Sequence, residues 1–142
     1  MRIQIPQMHK LGIGNTKEEI SAIGLGCMGM SGGYGPVDDA ESIATIHAAL
    51  DAGVKFIDTG DFYGMGHNEM LLGEALKGGK RRRAFLSVKF GNLRGPDGTQ
   101  YGYDLRPAAV KNFLAYSLRR LKTAWRHFRP ADRRLRARYR TV

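Results

Sequence analysis

Apolar and polar positions change their rhythm along this chain, and each change marks an element. Residues 9–13 and 19–23 flank Gly14-Asn15, which predicts a short hairpin, and the stretch that follows predicts a strand ending near Gly26. CMGMSGGYGP, residues 27–36, is too rich in glycine for regular structure and reads as a loop. Asp38 and Glu41 have the spacing of a capping box, and Ile43, Ile46, His47 and Leu50 then share one helical face until Gly53. VKFID, residues 54–58, is the next strand. After a loop at 59–67, Asn68 is expected to cap a second helix with Leu71, Leu72, Ala75 and Leu76 inward, closed by Gly78 and Gly79. KRRR then reads as a solvated turn and AFLSVKF, residues 84–90, as the third strand. The segment 90–105 is so dense in glycine and polar residues that it is expected to form a long binding loop without an element of its own. Pro107 suits the first position of a third helix, along which Val110, Phe113, Leu114, Ser117, Leu118 and Leu121 trace a 3.6-residue stripe.

Strand and helix thus alternate three times, the order that builds a parallel sheet from right-handed crossovers. Near Thr123 the periodicity stops. A fourth strand is due, yet arginine recurs too often in 124–142 for burial, so the chain divides into a folded part, 1–123, and an arginine-rich tail, 124–142, expected to be disordered. Charge follows the same division. Of the net +10, the tail supplies seven arginines against Asp132 alone, while 1–123 holds 16 basic and 12 acidic residues. Trp125, Phe128 and Tyr139 interleave with those arginines, the composition of a nucleic-acid-binding tail, but no nucleic-acid fold accompanies the charge and a solvated cationic extension is the better reading. The abrupt shift to Arg, Ala, Pro and Leu also fits an out-of-frame extension of a truncated gene. Cys27 is the single cysteine, which excludes an intrachain disulfide and suits a reducing compartment. Nowhere do about 18 apolar residues run together, so no membrane partner is expected and the cytoplasm is the default location.

Two features compete for chemistry. GLGCMG, residues 24–29, has the glycine spacing of a dinucleotide-binding turn, but MSGGYGP follows where the helix should already have begun, so a flexible strand-end loop explains it better. Asp58 and Lys89 both stand at the carboxyl ends of predicted parallel strands, the rim at which barrel enzymes do their chemistry, and Tyr63 rises on the loop after Asp58. An ammonium beside a phenol favours the phenolate, and a carboxylate beside that ammonium keeps it charged and oriented, so the trio can make a proton donor. Each has an ordinary explanation when taken singly: a snorkelling lysine, a half-buried tyrosine, a turn-capping aspartate. Asp61 reads as a solvated acid and His67 as a helix-start residue. Tyr34, Tyr101 and Tyr103 fall in rim loops, where aromatics commonly cover a core edge. No metal site is assigned.

FIDTGDFYG, NEMLLGEAL and SVKFG in sequence, with IGLGCMGM before and SLRRLKT after, resemble the aldo-keto reductase family, particularly its bacterial members similar to potassium-channel β subunits. The resemblance spans about residues 9–123. It implies a (β/α)8 TIM barrel of which this α/β chain is a part: the N-terminal hairpin plus about three βα units. It implies a carbonyl substrate, NADPH as cofactor, Tyr63 as proton donor, Lys89 as the group that eases loss of that proton, and Asp58 as partner of Lys89. Gly26, Cys27, Met28 and Asp58 match the stretches near the cofactor, although a small hydrophobe at a strand end remains the plain reading of Cys27. The fourth-strand polar residue of the family has no clear counterpart, since His127 lies among Arg, Phe and Pro, and the later cofactor-gripping positions have none. An eight-unit barrel needs about 250 residues. The chain is therefore expected to be an inactive fragment when alone, with exposed sheet edges that favour self-association; a basic-tailed nucleic-acid-binding or non-catalytic interaction protein is the alternative.

Overall fold

The computed structural model describes residues 8–124; the segment from 125 onward, with Trp125, His127, Phe128 and Tyr139, lies outside the described residues. β1 (Lys10–Gly12) and β2 (Glu19–Ser21) form the expected antiparallel hairpin, with Leu11 opposite Ile20. Ser21 Oγ accepts from the backbone N–H groups of Lys55 and Phe56 at 2.8 and 3.1 Å, which fastens the hairpin to the amino end of the sheet. That sheet holds β3 (Gly24–Gly26), β4 (Phe56–Gly60) and β5 (Phe85–Lys89), all parallel and in the order β3-β4-β5.

α1 (Asp39–Asp51) links β3 to β4, α2 (His67–Ala75) links β4 to β5, and α3 (Pro107–Arg120) follows. Asp38 caps α1 as its spacing predicts, accepting from Glu41 N–H at 2.7 Å. Because strand side chains alternate, Ile57, Leu86 and Val88 turn toward the helices, where Ile46, Leu50, Leu72, Leu76 and Leu121 complete the core. The other face carries Phe56 and Phe85, stacked with centroids 5.9 Å apart, and then Asp58 and Lys89. One face packs against the helices, and the other carries Asp58 and Lys89 toward the carboxyl ends of its strands.

Four local readings are corrected. Residues 90–105 are not structureless: β6 (Asn92–Arg94) and β7 (Gln100–Tyr103) pair antiparallel across a turn closed by Gly98 N–H to Gly95 C=O at 2.9 Å. Pro96-Asp97-Gly98 is itself a turn signal, and Asp97 accepts from Thr99 N–H at 2.9 Å, so the glycine-rich look came from a hairpin turn. Asn68 does not cap α2; Gly66 occupies that position and Asn68 lies inside the helix, fully buried. The loop predicted at 59–67 is shortened from both sides, since β4 runs on to Gly60 and a 3-10 turn covers Tyr63–Gly66. KRRR is a 3-10 turn rather than a merely solvated one, for Arg81 and Arg83 donate to the carbonyls of Ala84 and Leu50, both at 2.8 Å. The α3 stripe faces inward but only Ser117 and Leu121 are buried, with Val110, Phe113, Leu114 and Leu118 half-covered.

α2 and α3 meet at Gly73. A Cβ there would fall inside the contact radius of the Arg120 carbonyl oxygen, a backbone atom that cannot swing away. Gly73→Ala is therefore expected to lower stability by about 1–3 kcal/mol despite alanine's better helix propensity. Thermal unfolding checks this: a melting temperature unchanged or raised by the substitution would show that the helices do not approach so closely.

Candidate active site

The register sets the site. Asp58 pairs with Ser87 and Lys89 with Gly60, so Asp58 and Lys89 lie one diagonal apart on the same face of adjacent parallel strands, at their carboxyl ends. The Lys89 ammonium donates a hydrogen bond to Asp58 Oδ1. It also sits 5.5 Å from the centroid of the Tyr63 ring. Partial burial works against the charge on Lys89, but hydrogen bonding with Asp58 and Tyr63 outweighs it, and the lysine is held above its ordinary range. The cation is thus fixed between a carboxylate and a phenol.

Tyr63 reaches Lys89 because the backbone folds it back over the strand end. Gly60, the register partner of Lys89, has no side chain to obstruct it; a Cβ there would meet the Phe62 and Tyr63 rings at 3.3 Å. Beyond Tyr63, Gly64, Met65 and Gly66 all have left-handed backbones, with φ of 55°, 51° and 96°, and this run turns the chain into α2. Met65 bears a strain that glycine avoids. Phe62 meets Tyr63 edge-on at 4.9 Å, and the Arg94 guanidinium lies 5.6 Å from the Phe62 ring, so the β6–β7 hairpin backs the tyrosine through one aromatic intermediary.

The three residues after β3 behave differently from one another. Gly26 pairs with Asp58 in the register, and a Cβ at Gly26 would meet nothing, so open space adjoins the aspartate there. Cys27 turns into the helix-side core; burial above all, with Asp58 adding and Lys89 opposing, pushes its thiol up to about 12. It is a neutral, inert thiol at physiological pH. Its N–H donates to Asp58 C=O at 2.9 Å, which leaves its backbone serving the sheet. Met28 opens a short 3-10 turn and packs against Gly33.

Asn68 is the residue that sequence reasoning misplaced. Its Oδ1 accepts from Thr59 Oγ1 at 2.6 Å, and its Nδ2 donates to Cys27 C=O at 2.7 Å and to Ser31 Oγ at 2.8 Å. One buried amide therefore ties β4, the segment after β3 and α2 together. His67 opens α2; its Nδ1 is 2.9 Å from Ser31 Oγ and its Nε2 faces Asp39 at 3.2 Å. Asp61, read as solvated, is instead buried. Tyr34, Tyr101 and Tyr103 are all exposed. Among the described residues no group of three or more His, Cys, Asp or Glu side chains could hold a metal ion, and no helix is long and apolar enough to cross a membrane.

A phenol backed by a lysine that is itself pinned by an aspartate can deliver a proton to an oxygen placed above the strand ends. The model of the family described as "Aldo/keto reductase family" matches residues 22–125. An aldo-keto reductase named for NADP(+) from Schizosaccharomyces pombe is 37% identical over 110 residues, 77% of this chain and 32% of the relative. The holo form of an aldo-keto reductase from Bacillus halodurans superposes with a TM-score of 0.70 at 32% identity, covering 82% of this chain and 37% of that one. A glycerol dehydrogenase from Gluconobacter oxydans gives 0.68 at 34% identity, covering 80% and 36%. The chain spans about a third of the length of the curated relative, and its sheet and helices are part of a (β/α)8 barrel.

Proposed function

The chain belongs to the aldo/keto reductase family, and from that premise we propose that residues 8–124 carry the proton-donating side of an NADPH-dependent carbonyl reductase site. The observation that supports it is the Asp58–Lys89–Tyr63 cluster at the carboxyl ends of neighbouring parallel strands. Tyr63 would give its hydroxyl proton to the oxygen of a small-molecule carbonyl. Lys89 would stabilise the phenolate left behind, and Asp58 would keep the ammonium in place rather than let it swing into solvent. Bound NADPH would supply the hydride.

The residues present fit one end of that cofactor. The open floor at Gly26 beside Asp58 leaves room for a flat ring, and Met28 would border it; Cys27 would contribute shape only, since its side chain is in the core. The remaining grip on the nucleotide is expected from strands beyond the matched segment, so the chain alone is read as a cytoplasmic but inactive piece. β3 and β5 are the outer strands of their sheet among the described residues, and their free edges support self-association or docking onto another barrel piece as a second reading.

Two measurements test this. NADPH fluorescence on the chain alone, run beside gel filtration, is expected to show no saturable micromolar binding; tight binding would sink the inactivity. Residues 8–124 grafted in place of the matching segment of the S. pombe relative should restore NADPH oxidation with a carbonyl. Tyr63→Phe in that chimera should then cut kcat by about 10²–10⁴ with its fold intact by circular dichroism. Activity that survives Tyr63→Phe would remove Tyr63 from the role.

A further inference from the structure

His67 does more than begin α2. Its backbone N–H donates to the carbonyls of Tyr63 and Gly64, so it closes the left-handed run that carries the phenol. Its ring stands between two other segments: Nδ1 lies 2.9 Å from Ser31 Oγ, in the turn after β3, and Nε2 lies 3.2 and 3.3 Å from the two carboxylate oxygens of Asp39, at the start of α1. Gly64 is seated against both, since a Cβ there would come within 2.9 Å of Ser31 Cβ and 3.1 Å of His67 Cβ. One residue thus grips the donor's carbonyl with its main chain and the segment after β3 with its side chain.

Hydrogen-bond accounting gives this chain of contacts a direction. The Cys27 carbonyl can only accept, so the nitrogen of the Asn68 amide faces it, and the same nitrogen gives its second proton to Ser31 Oγ. The Ser31 hydroxyl, having accepted from Asn68, keeps its own proton to give, and His67 Nδ1 is the acceptor in reach. Nε2 then carries the ring hydrogen and gives it to Asp39. The two ring bonds are not equal. Ser31 is half-buried and held from behind by the buried Asn68, whereas the Asp39 side chain is 60% exposed, and a pair open to solvent contributes little.

We propose that His67 is a positioning residue for Tyr63: its ring, fastened through Nδ1 to the Ser31 hydroxyl, fixes the N–H that holds the Tyr63 carbonyl, so the turn after β3 sets where the phenol stands over the strand ends. The line of force runs from Asn68 through Ser31 and His67 to the main chain of Tyr63. A displacement of about 1 Å at a reacting group costs about 10²-fold in rate, so an anchor of this kind bears on the site as well as on the fold. Its importance to catalysis rests on the reading of Tyr63 as donor.

The test is NMR on the isotope-labelled full chain, reading two signals: hydrogen exchange of the residue-67 amide, and the cross-peaks between the Phe62 and Tyr63 rings, whose centroids lie 4.9 Å apart. Asparagine sets a carbonyl oxygen near the place of Nδ1, where Ser31 can donate to it; glutamine reaches the place of Nε2 instead. His67→Gln is therefore expected to speed exchange of that amide about tenfold and to weaken the ring cross-peaks, while the amides of β4 stay as they were. His67→Asn should keep both signals near those of the natural chain, and Asp39→Asn should leave both unchanged. The proposal is overturned if His67→Gln moves neither signal, if His67→Asn or Asp39→Asn does as much as His67→Gln, or if exchange in β4 rises in step, the mark of a general loss of stability. Should His67→Gln not fold, Ser31→Ala is read at the same two signals and takes its place. No nucleotide or carbonyl enters the measurement, so its failure leaves the reductase reading standing, and failure of that reading in the Tyr63→Phe chimera leaves the anchor standing.

Discussion

Arg120→Ala is expected to destabilise the chain by about 3–5 kcal/mol, a large share of the stability of a small domain. Glu69 has no exposure at all; its Oε2 accepts from Arg120 Nε and its Oε1 has no partner. Removing the guanidinium leaves a buried carboxylate with neither oxygen bonded and Asp61 still repelling it. The same side chain also lies over Gly66 and approaches the Tyr116 ring at 6.0 Å, so packing is lost with the charge. Urea denaturation measures the loss. A paired substitution of Glu69 and Arg120 by leucine should recover most of it, because an apolar pair leaves no uncompensated charge. If Arg120→Ala unfolds at the same urea concentration as the natural chain, the buried pair is not what holds α2 to α3.

Asn68→Ala comes next, at about 3–4 kcal/mol. The amide makes three hydrogen bonds in a largely buried site, and its loss orphans the Thr59 hydroxyl at about 1–3 kcal/mol and takes from the Cys27 carbonyl one of its two donors, the other being the Met30 N–H. The effect should also be local. Without Nδ2, the turn at Met28–Ser31 keeps only the Ser31–His67 hydrogen bond as a side-chain anchor to α2, so the Met30 amide, bonded to Cys27 C=O, should exchange its hydrogen faster than amides of β4. Exchange rates that rise equally everywhere, or not at all, would deny Asn68 its part in holding the rim.

What could be read before the structure, and what could not, follows from the range over which each signal acts. β3, β4 and β5 were legible because apolar runs bounded by glycine need only local pattern, and α1 because Asp38 and Glu41 sit three residues apart. Asp58 and Lys89 were legible as strand-end residues. Their hydrogen bond joins residues 31 apart, and its geometry depends on a parallel register that no local pattern supplies. Asn68 was misread because asparagine is a common cap, yet its helix had already begun at His67. Glu69 and Arg120 were missed because charge is ordinarily solvated. A signal did exist: Glu69 stands at helical spacing from Leu72 and Leu76, on the apolar face of α2, where an acid must find a partner. The β6–β7 hairpin was hidden by composition, its Pro-Asp-Gly turn counted as looseness when it was punctuation.

The left-handed run at Gly64, Met65 and Gly66 gives the segment an unequal tolerance of change. A residue branched at Cβ would resist that handedness at any of the three positions, and at Gly64 it would also collide with Ser31, while at Gly66 it would meet Arg120. In a saturation library over this stretch, the phenol's orientation would be inherited chiefly through two residues that have no functional group at all. Changes to this part of the chain should therefore leave the main-chain coil intact and fall first on exposed positions such as Tyr101 and Tyr103.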